Sequence, residues 1–132
     1  MNDDSQPLSE FKSKSGPKRI LSAFFYSIDG LRTAWRYEHA FRQELAITVP
    51  GMVVALMIPV TALERVILIG VLLLVLIVEL LNSAIEATVD RVSLERNPLS
   101  KNAKDLGSAA VMLSMLMAVV AWVLIVLPLA RK

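Results

Sequence analysis

Residues 66–87 read VILIGVLLLVLIVELLNSAIEA, and no charge interrupts them from Val66 to Val78 before Glu79. A helix crossing a bilayer needs about 20 predominantly apolar residues, which this stretch supplies. On its N-terminal side, residues 46–63 (AITVPGMVVALMIPVTAL) are also free of charge. Two residues, Glu64 and Arg65, separate the runs, so they form a tight helical hairpin with spans at about 46–63 and 66–86. Pro50 and Pro59 are candidate kink sites, which neighbouring helices make tolerable in a membrane. A third run, Ala109 to Ala130, has Ser114 as its one clearly polar residue and gives a span at about 108–130. For a chain of 132 residues, 55% of them hydrophobic, these runs predict an all-α integral membrane protein with one domain.

The charges orient the spans. Eleven Lys and Arg residues precede the first span or lie between the second and third, against three (Arg65, Arg131, Lys132) on the other side. The positive-inside rule therefore puts the N-terminus in the cytoplasm. Met1 to Pro17 is polar, lacks the apolar core of a signal peptide and reads as a flexible cytoplasmic tail. Residues 18–132 form the membrane domain. Ile20, Leu21, Phe24, Phe25, Ile28, Leu31 and Trp35 share one helical face, predicting an amphipathic interfacial helix over about 18–36. The alternative for that segment is a soluble helix packed on a partner. With no cysteine, disulfides and thiolate chemistry are excluded, and His39 alone cannot build a zinc site.

The second span ends in polar residues at regular intervals. Glu79, Asn82, Ser83, Glu86 and Asp90 fall on one stripe, within about 60° of Glu79. A glutamate at the depth of Glu79 costs roughly 2.5–3.5 kcal/mol to insert, so it faces protein, a polar cleft or a partner. Asn82 alone would read as a helix-packing hydrogen bond; three carboxylates on one stripe point to function. Glu38 and Glu44, with Arg42 between them, stand just before the first span. Lys104 and Asp105 open the third helix, for which Ser100 is a candidate N-cap. Carboxylates from several helices and a lysine can thus meet at the cytoplasmic interface, an assembly suited to Mg²⁺ and a nucleoside triphosphate. Five scattered glycines build neither a P-loop nor a kinase glycine-rich loop, so any such site is of another type.

The segments ELLNSAIEATVD (Glu79 to Asp90), AKDLGSAAV (Ala103 to Val111) and GLRTAWRYEHAFRQE (Gly30 to Glu44) resemble the prokaryotic diacylglycerol kinase family. The resemblance runs from Arg19 to the C-terminus. It implies a homotrimer in the bacterial inner membrane, with active sites shared between subunits, that phosphorylates diacylglycerol to phosphatidic acid with MgATP. It involves membrane lipids and no nucleic acid. By the same resemblance Glu79 is the general base, and Glu38 and Glu86 bind the metal and the nucleotide. Arg19, Tyr26, Glu95, Arg96, Asn97, Lys104 and Asp105 match positions around ATP, and Asn82 and Asp90 other active-site positions. Ser27, Arg32, Trp35, Glu44, Arg65 and Ser108, with Glu79, match lipid-substrate positions. Arg96 and Asn97 depart from an aromatic residue and a histidine near the adenine, Ser83 replaces a threonine, and Phe24 and Phe25 replace small residues. Two alternatives stand beside this reading: an undecaprenol kinase of the same family, and a non-enzymatic transporter or scaffold in which Glu79 relays protons.

Overall fold

The computed structural model describes residues 16–92 and 97–129. The expected tail before Gly16, the expected nucleotide contacts Glu95 and Arg96, and the expected end of the third span at Ala130 lie outside the described residues. Four helices follow in order: α1 (Pro17–Tyr37), α2 (His39–Met57), α3 (Ala62–Val92) and α4 (Pro98–Val126). The last three are long and apolar enough to cross a membrane. At 1.5 Å per residue α3 and α4 reach about 46 and 43 Å, more than the roughly 30 Å of hydrocarbon in a bilayer. The excess of α3 carries Glu86, Asp90 and Arg91, beyond Glu79 where its charges resume.

Helix ends differ from the charge-free runs because backbone hydrogen bonding, not hydropathy, sets them. The run 46–63 is not one helix. α2 starts earlier, at His39, continues through Pro50, and stops at Met57, where Ile58 turns extended ahead of Pro59. Pro59 cannot donate to a helical ladder, so it lies in the turn and not within a kinked span. α3 then begins on a capping box. Thr61 N and Oγ1 donate to Glu64 Oε2 at 2.8 and 2.7 Å, and Glu64 N donates to Thr61 Oγ1 at 3.3 Å. Arg65 reaches back across the turn, donating from Nε to Ala55 O (3.1 Å) and from Nη2 to Ile58 O (3.2 Å). It satisfies carbonyls that the end of α2 leaves without intrahelical partners. At α4 the N-cap is Asn97, whose Oδ1 accepts from Leu99 N at 2.8 Å. The expected cap, Ser100, lies inside the helix because Pro98, with no N–H to lose, fits the first helical turn.

Burial is reversed relative to a water-soluble domain. Glu44, Thr48, Glu79, Asn82 and Ser114 are buried, while Val53, Leu56, Ile77, Leu113, Leu116 and Leu124 are exposed. In lipid, apolar contact gives helices no net reason to associate, so close approach and polar contacts do so instead. α3 packs most extensively on α4 and next on α2. Gly51 permits one of these approaches: a Cβ there would stand 2.9 Å from Leu72 Cδ1 and 3.7 Å from Trp122 Cζ2. Trp122 Nε1 donates to Leu68 O at 3.3 Å, joining α4 to α3 near the far end. Near the other end a small apolar cluster of Ala34, Phe41 and Leu76, flanked by Leu45 and Leu80, ties α1 and α2 to α3. The apolar face of α1 (Ile20, Leu21, Phe24, Phe25, Leu31, Trp35) is uncovered, the arrangement expected of a helix lying on a membrane surface.

The Arg65 contacts predict a defined stability loss. Arg65→Ala removes two charge-assisted hydrogen bonds and should destabilise the protein by about 1.5–3 kcal/mol. Arg65→Lys, with a single-point donor, should fall between. Thermal unfolding of the purified proteins in one detergent measures both.

Candidate functional site

The site grows from the amphipathic end of α3. Period 3.6 puts Glu79, Asn82, Glu86 and Asp90 on one side, and burial declines along them toward the helix end. Glu79 is 4% exposed and Asn82 9%, Glu86 is half-buried and Asp90 exposed. Asn82 Nδ2 donates to Glu86 Oε1 at 3.1 Å. Asn82 Oδ1 is buried without a partner among the described residues. One turn on, Asp90 Oδ1 accepts from Lys104 Nζ at 2.6 Å, so the expected lysine does reach the α3 stripe from α4. Asp105 is held by Lys101 on the outer side of α4 instead.

Glu38 is the single residue between α1 and α2, ending one helix and preceding the other with φ −98° and ψ 111°. Its backbone N–H still donates to Ala34 O, which holds the elbow tight. Arg42 fixes the elbow from the α2 side. Its Nη1 donates to Trp35 O at 2.8 Å and Arg36 O at 3.3 Å, and its Nη2 lies 2.8 Å from His39 Nδ1. Buried Phe41 sets α2 against Leu76 of α3, one turn from Glu79. Glu38 and Glu86 consequently lie close enough to Glu79 for their charges to act on it, as Glu79 does on Glu44. Carboxyl groups of the elbow, α2 and α3 thus feel one another's charge around Glu79. No group of three acidic or histidine side chains among the described residues is close enough to hold a metal ion unaided. The donors are all oxygen, which fits a hard cation completed by phosphate oxygens from a substrate.

Glu44 is 6% exposed, and both carboxylate oxygens lack hydrogen-bond partners among the described residues. It lines a cavity of about 410 Å³ with Thr48, Gly51, Leu72, Val75 and Trp122, otherwise apolar. A second, wider cleft of about 740 Å³ opens between α1 and α2. Its floor is Ile28, Leu31, Trp35, Phe41 and Leu45, and Arg32, Arg36 and Arg42 line it too. Of the expected lipid-contact residues, Arg32 and Trp35 stand at this cleft, with Arg32 paired to Asp29 at 3.1 Å. Ser27 Oγ donates to Ala23 O on α1, and Ser108 is exposed on α4. Arg65 is not brought to the carboxylates: α3 carries it about 21 Å along the axis from Glu79. Arg19 and Tyr26 are exposed on α1, and Asn97 is engaged as the α4 cap. Charge and period alone passed over Arg42 as an elbow clamp, Thr48 beside Glu44, and Gly107, against which Asn82 packs.

A model of the family described as prokaryotic diacylglycerol kinase matches residues 25–126. The diacylglycerol kinase of Pseudomonas aeruginosa is 56% identical over 119 residues, covering 90% of this chain and 97% of that protein. The diacylglycerol kinase of Escherichia coli K12 is 50% identical over 108 residues, 82% of this chain and 88% of the relative. That of Helicobacter pylori 26695 is 41% identical over 107 residues, 81% and 84% of the two chains.

The unpartnered Glu44 carboxyl predicts that this position is kept at a cost in stability. Glu44→Leu should stabilise the fold by about 1–3 kcal/mol, because it removes buried acceptors from an apolar cavity. It should also lower turnover. Thermal unfolding and a lipid-phosphorylation assay on the same preparation check the pair of outcomes.

Proposed function

This chain belongs to the prokaryotic diacylglycerol kinase family and is a lipid kinase, and we propose that it phosphorylates diacylglycerol to phosphatidic acid with MgATP. The observation that carries the residue-level reading is a carboxyl group, Glu79, buried on a spanning helix within electrostatic reach of Glu38 and Glu86. A lipid hydroxyl lies at headgroup level, where the polar stripe of α3 begins. Glu79 accepts the proton from that hydroxyl as its oxygen attacks the γ-phosphorus and the bond to the departing ADP oxygen breaks. Phosphoryl transfer asks chiefly for positioning and charge neutralisation, and the residues around Glu79 are suited to both.

Glu38 and Glu86 hold Mg²⁺ in this reading, and the ion offsets negative charge on the phosphates when bound. Their half-buried carboxylates leave room for a ligand. Asn82 orients Glu86 through its amide hydrogen bond, and Asp90 keeps Lys104 at the nucleotide side. Arg19, Tyr26 and Asn97 border the nucleotide in this reading, and the family resemblance assigns Glu95, Arg96 and Asp105 to it as well. The lipid enters through the arginine-lined cleft under α1, past Arg32 and Trp35, and Glu44 lines the neighbouring apolar cavity.

The working unit in this proposal is a homotrimer in the bacterial inner membrane with a cytoplasmic N-terminus. Eleven of fourteen Lys and Arg residues on one side of the spans support that orientation. Uncovered apolar faces on α2, α3 and α4 leave surface for neighbouring copies as well as for lipid.

Membranes containing this protein should phosphorylate diacylglycerol with MgATP. Glu79→Gln should lower the rate at least a thousandfold, on the order expected when a general base and its charge are removed, while membrane insertion is unchanged. Diacylglycerol and undecaprenol offered side by side decide the acceptor. Faster turnover of the polyprenol would assign the chain to the other branch, and turnover unaffected by Glu79→Gln would remove Glu79 from the reaction.

A further inference from the structure

Gly107 lies on α4 one turn beyond Lys104, facing α3. A Cβ built on it would collide with Asn82 Oδ1 and would lie 3.3 Å from Asn82 Cγ and 3.8 Å from Asn82 Cβ. The whole Asn82 side chain therefore lies across the place a side chain would occupy. Gly51 differs, since what it would meet at 2.9 Å is the flexible end of Leu72, and Gly30 and Gly70 face open space.

Asn82 is 9% exposed, and its two polar atoms are treated unequally. The amide nitrogen donates to Glu86 Oε1 at 3.1 Å, whereas Oδ1 is buried with no conventional donor among the described residues. A buried acceptor is ordinarily paired, so this one calls for a structural reason. The backbone of Gly107 supplies the contact that holds it, at most through a weak Cα–H donor. A methyl group there would force α4 away or rotate Asn82. Two long helices packed along their length resist separation more than one side chain resists rotation, so Asn82 is the part that moves. Rotation withdraws its amide from Glu86.

We infer that Gly107 is a positioning residue for the phosphoryl-transfer site, its missing side chain fixing Asn82 so that Asn82 orients the Glu86 carboxylate. This rests on the reading of Glu86 as a metal ligand. Gly107 touches neither nucleotide nor lipid in this role. It acts through Asn82, as outer groups orient the ligands of metal sites generally, where their loss weakens metal affinity about 10–100-fold.

The test uses full-length protein in lipid bilayers, with Mn²⁺ and a non-hydrolysable ATP analogue followed by electron paramagnetic resonance. Gly107→Ala should raise the Mn²⁺ concentration at half-saturation about tenfold and leave the KM for diacylglycerol unchanged. Asn82→Ala should do the same. The double variant should be no worse than Asn82→Ala alone, because the colliding group is gone. Gly107→Ala that titrates like the parent, or a double variant in which the two losses multiply, overturns the inference. If Gly107→Ala fails to fold, recovery of a folded, nucleotide-binding protein on adding Asn82→Ala supports the collision, and continued failure overturns it. A parent that phosphorylates lipid but takes up no Mn²⁺ with the nucleotide defeats the metal reading of Glu86, and this inference with it. Normal parent binding with an unaltered variant defeats the role of Gly107 alone.

Discussion

Three contacts follow the α3–α4 seam in nearly one antiparallel register: Leu68 with Trp122, Asn82 with Gly107, and Asp90 with Lys104. Over this length, about 33 Å of α3, the polar stripe keeps to the protein side, where a buried carboxyl and amide have protein rather than hydrocarbon around them. In that register α4 covers Asn82 and engages Asp90, so those members of the stripe meet protein rather than hydrocarbon. The elbow at Glu38, the clamp at Arg42 and the Phe41 contact then add the remaining carboxylates to a surface the seam has already fixed.

Selection acts on such a protein against the ordinary sense of burial. Large apolar side chains cover the outer faces of α2, α3 and α4, while Glu44, Thr48, Glu79, Asn82 and Ser114 are buried inside among Phe41, Leu68, Leu72 and Leu76. Close helix approach is the means of association, and it is local: Gly51 under Leu72 in one half and Gly107 under Asn82 in the other. The cavity beside Glu44 and the open cleft beneath α1 show that packing is not pursued everywhere. Looser packing lies between α2 and the other spanning helices beside Glu44, and under α1.

Much of this was legible in the residues. The run from Val66 to Val78 can only be a spanning helix, and the i, i+3, i+4, i+7 spacing from Glu79 to Glu86 puts the acids on one side before any coordinates are known. Helix ends were less legible, since hydropathy says where lipid is tolerated and not where hydrogen bonding stops. α2 begins in the polar segment at His39, and the break falls before Pro59 inside an uncharged run. Thr61 to Glu64 carries the T-x-x-E pattern of a capping box, a local signal that a reading by charge treats merely as a boundary. Asn97 outdoes Ser100 as a cap because Pro98 follows it, a neighbour effect equally local. The burial of Glu44 and the contact of Gly107 with Asn82 were illegible for a different reason. Each depends on which helix stands opposite, and one chain read linearly carries no such pairing.

Arg65 and Glu79 are fourteen residues apart, close to four helical turns, so they share a side of α3. One is anchored by the carbonyls of Ala55 and Ile58 and the other by the surroundings of the acids. The intervening VILIGVLLLVLIV is permissive in composition, since one branched aliphatic serves lipid much as another does. It is not permissive in length. Gain or loss of a single residue there would swing Glu79 by about 100° relative to Arg65. Homologous chains should therefore drift freely in the letters of this segment while deletions and insertions accumulate at the termini instead.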